Sequence, residues 1–135
     1  MTNVTTLQPL DPLKVFVEYD PQYEVYVAQC LQTGHLVTAD DPDAVTEMIT
    51  ELLTDEVSLA VRNNDIPSLL SSPAPTEQWF KFDLASKAGA VKDGSTIRVS
   101  GEVSHELRVL VGHDHRAVEV TTEIRIATGK VAGAA

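Results

Sequence analysis

Four carboxylates recur at every fourth position of one short stretch: Asp43, Glu47, Glu51 and Asp55, within "DPDAVTEMITELLTDEVSLA" (41–60), with no Lys or Arg among them. On a helix such residues share a face and sit about one turn, roughly 6 Å, apart. Helix surfaces gain stability by alternating acids with bases at this spacing, and like charges there are mildly destabilising. A Ca²⁺ or Mg²⁺ site needs carboxylates converging from a loop or from several elements, so a straight ridge makes a poor metal site. Two uses remain. The ridge keeps the protein in solution, or a cationic surface docks on it. Asp43, Glu47, Glu51 and Asp55 are therefore the candidate partner-binding residues.

Other chemistry-bearing residues are weaker candidates. His113-Asp114-His115 has the residue types of a metal site, but it reads as a polar turn with no third His nearby, since His105 is remote. Cys30 and His35 suggest a nucleophile and base. No residue is evident to orient the His, and a single Cys ending an apolar strand reads more simply as a small core side chain. The chain carries no glycine-rich phosphate loop, no nucleophile elbow and no zincin motif. The expectation is a non-enzymatic protein with no cofactor, no metal site and no catalytic residues. A divergent hydrolase is the remote alternative.

These residues sit in a chain of 135 residues, enough for one domain or one domain with an appended segment. With 43% hydrophobic residues it can bury an ordinary core. One Cys excludes an intramolecular disulfide and a Cys-based zinc cluster. "MTNVTTLQPLDPLK" has no basic region and no apolar stretch, so it does not read as a signal peptide, and no apolar run approaches a membrane span. The expected location is cytoplasmic. Net charge is −10, and it is segregated. Residues 1–75 hold 12 acids and 2 bases, net −10; residues 76–135 hold 8 acids and 8 bases, net zero. Such a field repels phosphate and attracts a basic partner.

The elements that must position the ridge follow from pattern. "KVFVEY" (14–19) and "YEVYVAQC" (23–30) are β-rich, and "DPQ" between them has turn chemistry. "HLVT" (35–38) makes a third short strand after Gly34. The spacing then predicts a helix from Asp41: Asp41 caps, Pro42 suits the first position, and Asp43 complements the dipole. Val45, Met48, Ile49, Leu52, Leu53, Leu59 and Ala60 form its apolar face. Glu56 interrupts that face, and overhang beyond the sheet is its simplest accommodation, with a helix bend or a polar partner as alternatives. "SLLSSPAP" (68–75) reads as a linker or an extended wrap. "TEQWFKFDLASKAG" (76–89) reads as a short helix capped by Thr76 and stopped by Gly89, with Trp79, Phe80 and Phe82 as core anchors. Residues 95–100, 106–111 and 117–127 read as strands, with 112–116 as a hairpin loop.

With β-β-β-α laid out, "VFVEYDPQYEVYVAQCLQTGHLVTADDPDAVTEMITELL" (15–53) resembles the HicB family of antitoxin-like proteins. The matching features are the strand "VFVEYD", the Tyr-led strand "YEVYVAQC", Gly34, Thr38, and the Asp-capped acidic helix start from Asp41 to Glu47. The resemblance covers about half the chain and rests on order and spacing. It implies a partial ribonuclease H-like fold without nuclease activity, a small basic HicA-type toxin as partner, and oligomerisation. Where the family often has a Leu-Pro-Gly-Cys-like turn, this chain has "LQTGH". The family's C-terminal DNA-binding helices have no counterpart in residues 76–135, so direct nucleic-acid binding is not implied.

The combined expectation is an α+β fold. A HicB-like unit (1–67), an antiparallel sheet covered by one amphipathic helix, is followed by a Ser/Pro linker (68–75). A short helix and β-rich extension (76–135) then joins the same compact domain or makes a dimer contact. The expected function is partner binding through the acidic helix face, in the manner of an antitoxin; the alternative is a stand-alone ligand-binding or regulatory domain with no toxin partner. The unprotected edge of the C-terminal strands predicts a homo-oligomer through residues 95–127.

Overall fold

The structure, a computed structural model, describes residues 4–6, 12–63, 65–102 and 117–129. The chain begins with β1 (Val4–Thr6), β2 (Leu13–Asp20), β3 (Val25–Cys30) and β4 (Leu36–Ala39). Strands β2, β3 and β4 pair antiparallel in succession. The β2–β3 turn forms as its residue types require. The Asp20 carboxylate accepts from the backbone N–H of Gln22 (2.9 Å) and Tyr23 (3.4 Å), and Glu24 takes φ +54° to close the reversal.

Helix α1 (Pro42–Arg62) follows, capped at Asp41, whose carboxylate accepts from Ala44 N–H at 2.8 Å. A four-residue helix α2 (Ile66–Leu69) and helix α3 (Thr76–Lys87) come next, then β5 (Val91–Glu102) and β6 (Ala117–Thr128). The expected Thr76 cap does not form. Pro75 occupies the capping position and no side chain bonds the free amides, because Thr76 is already the first helical residue. Gly89, with φ +76°, follows the last turn of α3. Its left-handed conformation is open to glycine without steric cost.

Strand β6 organises the sheet. It runs parallel to β2 (Leu13 opposite Ile124, Val17 opposite Thr128) and antiparallel to β5. Its first residues pair parallel with β1, which precedes β2 along the same edge. The fold is therefore α+β with a mixed sheet in which β6 lies between β2 and β5. β1 had no counterpart among the sequence expectations. Strand 95–100 falls inside the longer β5. The expected strand 106–111, the loop 112–116, His105 and the His113-Asp114-His115 motif lie outside the described residues.

Alternate residues of a strand face opposite ways, and each face receives a helix. Leu13, Val15 and Val17 of β2, Ala28 and Cys30 of β3, Ile97 of β5, and Ile124 and Ile126 of β6 pack under Val45, Ile49, Leu53, Val57 and Val61 of α1. On the other face Phe16, Leu31 and Ala127 meet Phe82 and Ala85 of α3, with Trp79 and Val91 at the margin. A register shift between Asp93 and Thr96 lets two odd-numbered residues of β5, Val91 and Ile97, serve opposite faces.

The buried side of α1 is the straight row of every fourth residue from Val45 to Val61. Met48 and Leu59, expected on the apolar face, are 44% and 48% exposed. The helix is turned about its axis toward Val57 and Val61, and that rotation carries Glu56 from the middle of the apolar face to its rim. Residues 68–75 are held against the body. Ser68 and Leu69 belong to α2, Ala74 is buried, its N–H donates to Leu31 O (2.8 Å), and its carbonyl accepts from Trp79 Nε1 (3.2 Å). The aromatic cluster divides: Phe82 is buried, Trp79 is half-buried and Phe80 is exposed.

Candidate functional site

Asp43, Glu47, Glu51 and Asp55 are all exposed along α1. The helix presents them because its opposite row is committed to the sheet. Between the two rows Thr46, Thr50 and Thr54 each donate their hydroxyl to the carbonyl four residues earlier, all at 2.8 Å. These hydroxyls are thus satisfied within the helix and make no bridge to the acids. Among the described residues none of the four acids forms an ion pair; the pairs present are His35–Glu56, Lys81 with Glu18 and Glu77, and Lys87–Asp83. The ridge is a one-sign surface with its charge uncompensated from within the described chain. Chemically it offers a row of anionic acceptors about one turn apart, suited to docking several cationic side chains at once.

Cys30 and His35 are tied by backbone. Cys30 N–H donates to His35 O and Gly34 N–H donates to Cys30 O, both at 2.9 Å. Their side chains have separate environments. The Cys30 thiol is fully buried beneath α1, where desolvation pushes its pKa up, offset in part by hydrogen bonding to Thr33 and backbone groups. A raised pKa opposes formation of the thiolate that nucleophilic chemistry needs. The His35 ring instead turns toward Glu56, with Nε2 3.9 Å from Oε2.

That contact marks a second site, which sequence reasoning reached only through the anomaly of Glu56. Thr33 and His35 from the β3–β4 loop, Glu56, Leu59, Ala60 and Asn63 from the end of α1, and Asp65, Ser68, Leu69 and Ser72 from the α2 region line a cleft of about 270 Å³. Gly34 makes the geometry possible. Its φ is +78°, and a Cβ there would collide with the carbonyl oxygen of Ser72. The strap 70–75 can lie close over the loop only because residue 34 has no side chain. The loop is further braced by Gln29, whose side-chain amide donates to Gly34 O at 3.2 Å. Among the described residues, no group of three or more His, Cys, Asp or Glu side chains converges to hold a metal ion, and no helix is long and apolar enough to cross a membrane.

No family model, no curated protein and no solved structure matches this chain.

Proposed function

We propose that this chain is a non-enzymatic, HicB-like binding module that engages a small basic protein, of the HicA toxin type, through Asp43, Glu47, Glu51 and Asp55. One observation carries the reading. Four exposed carboxylates lie along α1 without an ion pair among the described residues, while the opposite row of the same helix is fully committed to the core. The antiparallel β2–β3–β4 unit followed by an Asp-capped acidic helix agrees with the order of elements that the HicB resemblance implies. The protein acts in the cytoplasm without binding nucleic acid directly, since residues 1–75 carry the whole net charge of −10. It assembles as a homo-oligomer: the outer edge of the twelve-residue β5 has no strand partner among the described residues.

The test starts from the protein purified from its own host with the small basic protein that co-elutes. Reversing Glu47 and Glu51 together to lysine should leave the fold intact, because both are exposed and the new lysines sit one turn from Asp43 and Asp55. The same change should weaken the partner by about 2–5 kcal/mol if the acids are buried in the interface, or slow its association if they lie at the rim. An unchanged melting temperature together with unchanged affinity and on-rate would reduce the ridge to a solvated surface. Light scattering that gives a 14.6 kDa particle would remove the oligomer.

A further inference from the structure

Glu56 interrupts the apolar side of α1, and among the described residues no Lys or Arg pairs with it. Its side chain is one-third exposed, and the nearest cationic candidate is His35 Nε2 at 3.9 Å, beyond hydrogen-bond reach. Among the described residues the Glu56 carboxylate accepts no hydrogen bond, and the buried Nδ1 of His35 has no partner either. The His35 ring lies alongside the Glu56 carboxylate, and both residues line the cleft. A concave site with a few polar groups set against an apolar wall has the usual make-up of a small-ligand site.

The lining defines what the cleft would take. Its charged groups are the carboxylates of Glu56 and Asp65, and no Lys or Arg lines it. Asp65 spends one oxygen capping α2, accepting from Ser68 N–H at 3.3 Å, and keeps the other. Leu59, Leu69 and Ala60 supply an aliphatic wall, and Leu59 remains half exposed there. An anion would meet two like charges, and a purely apolar molecule would desolvate Glu56 for no return. A cationic donor on a short alkyl chain satisfies both halves. About 270 Å³ is at the small end of ligand pockets.

We infer that the cleft between the Gly34 loop and the C-terminal end of α1 binds an alkylguanidinium or alkylammonium group, with Glu56 as its anionic anchor. The group comes either from a free small molecule or from a basic side chain of a bound protein. The site does not depend on the acidic ridge, since Glu47 and Glu51 do not line it.

The experiment titrates the full-length ¹⁵N-labelled protein with butylguanidinium, with the neutral isostere butylurea, and with a short blocked peptide carrying one arginine. Butylguanidinium should shift the amides of Thr33, His35, Glu56, Asn63 and Ser68 saturably, with a dissociation constant of about 1 mM or tighter. Butylurea should not saturate them. Glu56→Gln, isosteric at a partly exposed position, should weaken binding roughly tenfold or more. Glu51→Gln and the Glu47→Lys, Glu51→Lys double variant should bind as wild type does. Binding of the small cation but not the peptide assigns a free ligand. Equal or tighter binding of the peptide assigns a protein side chain. The proposal is overturned if wild-type protein shows no saturation by about 20 mM, if butylurea binds equally, or if Glu56→Gln changes nothing. Loss of binding in the double-lysine variant would place the cation on the ridge instead, and would also overturn it.

Discussion

The two faces of the sheet are built to different standards. Under α1 the packing is continuous: Leu13, Val15, Cys30, Val45, Ile49, Leu53, Val57 and Ile124 have essentially no exposure. Under α3 the buried set is short, comprising Phe16, Leu31, Ala74, Phe82, Ala85 and Ala127, and three of those six are alanines. Phe80 and Leu84 of α3 are 62% and 51% exposed. An apolar groove of about 560 Å³ runs along α3 between Leu84, Ala88, Phe16 and Thr128, closed at one side by the Lys81–Glu18 pair. Two α-helices on one sheet thus differ in kind. The first is amphipathic with a complete apolar row, while the second is a partial cover whose aromatics point several ways. Stability concentrates on the α1 face. Surface with no structural obligation is found on the outer side of α1 and around α3.

The same substitution on the two helices tests this most strongly. Leu53→Ala should cost about 2–5 kcal/mol, since it opens a cavity in a fully buried site. Leu84→Ala should stay within about 0.5 kcal/mol, the usual range for exposed positions. Chemical denaturation of both variants reads the difference. A cost at Leu84 matching that at Leu53 would break the comparison and mean that the α3 groove is covered in solution.

Two glycines offer the next contrast. Gly34 and Gly89 both have positive φ, but a Cβ at Gly89 meets nothing within 4 Å while one at Gly34 strikes the Ser72 carbonyl. Gly89→Ala should cost about 1–2 kcal/mol from backbone conformation alone. Gly34→Ala should cost a further 1–3 kcal/mol or so from overpacking, read by the same denaturation midpoints. Equal costs would show that the strap 70–75 is free to move off the loop.

Cys30 reports on the α1-side core through pH. Burial raises its pKa above the ordinary value of 9.0, so above that pH the unfolded chain has lost a proton that the folded chain still holds. Its contribution to stability is complete below about pH 9 and declines as pH rises toward the folded value, by at most about 1.4 kcal/mol per pH unit. The melting temperature of wild type should fall faster above pH 9 than that of Cys30→Ala. Parallel curves would mean that the thiol is hydrated in the native state.

The smallest effect belongs to the α3 side. Lys81 pairs with Glu18 at 3.2 Å and Glu77 at 3.7 Å, but about a third of its side chain is exposed. Lys81→Met should change stability by less than about 1 kcal/mol, and added salt should shrink the difference. A larger loss would show that this pair, and not Phe82, anchors α3.

Which parts were legible in the sequence follows the range of the forces involved. The Asp20 turn, the Asp41-Pro42 helix start and the left-handed Gly89 rest on hydrogen bonds and dihedral preferences within a few residues, and each formed where the residue types put it. The exposed acidic row is also local, since a period of four on a helix fixes which residues share a side. The Thr76 cap failed even at this range, because the helix starts one residue earlier than the residue types suggest and leaves Pro75, which has no capping side chain, at that position.

The insertion of β6 beside β2 could not be read from alternation. Ile124 and Ile126 announce a strand with one apolar side, but its neighbour and direction depend on a pairing with Leu13 and Val15 more than a hundred positions away. The rotation of α1 escaped for a related reason. Apolar composition makes Met48 and Leu59 equivalent to Val57 and Val61, and only the shape of the sheet beneath selects the second pair. Selecting them moved Glu56 to the rim, opposite His35, and assembled a cleft from three stretches of chain that share no local pattern. Helix starts, turns and the sides of individual elements were thus determined by the sequence itself, because their energies act between near neighbours. The order of strands, the orientation of α1 and the His35–Glu56 site were decided only by the tertiary structure. Burial is non-directional, and it chooses among equally apolar surfaces by the shape they meet.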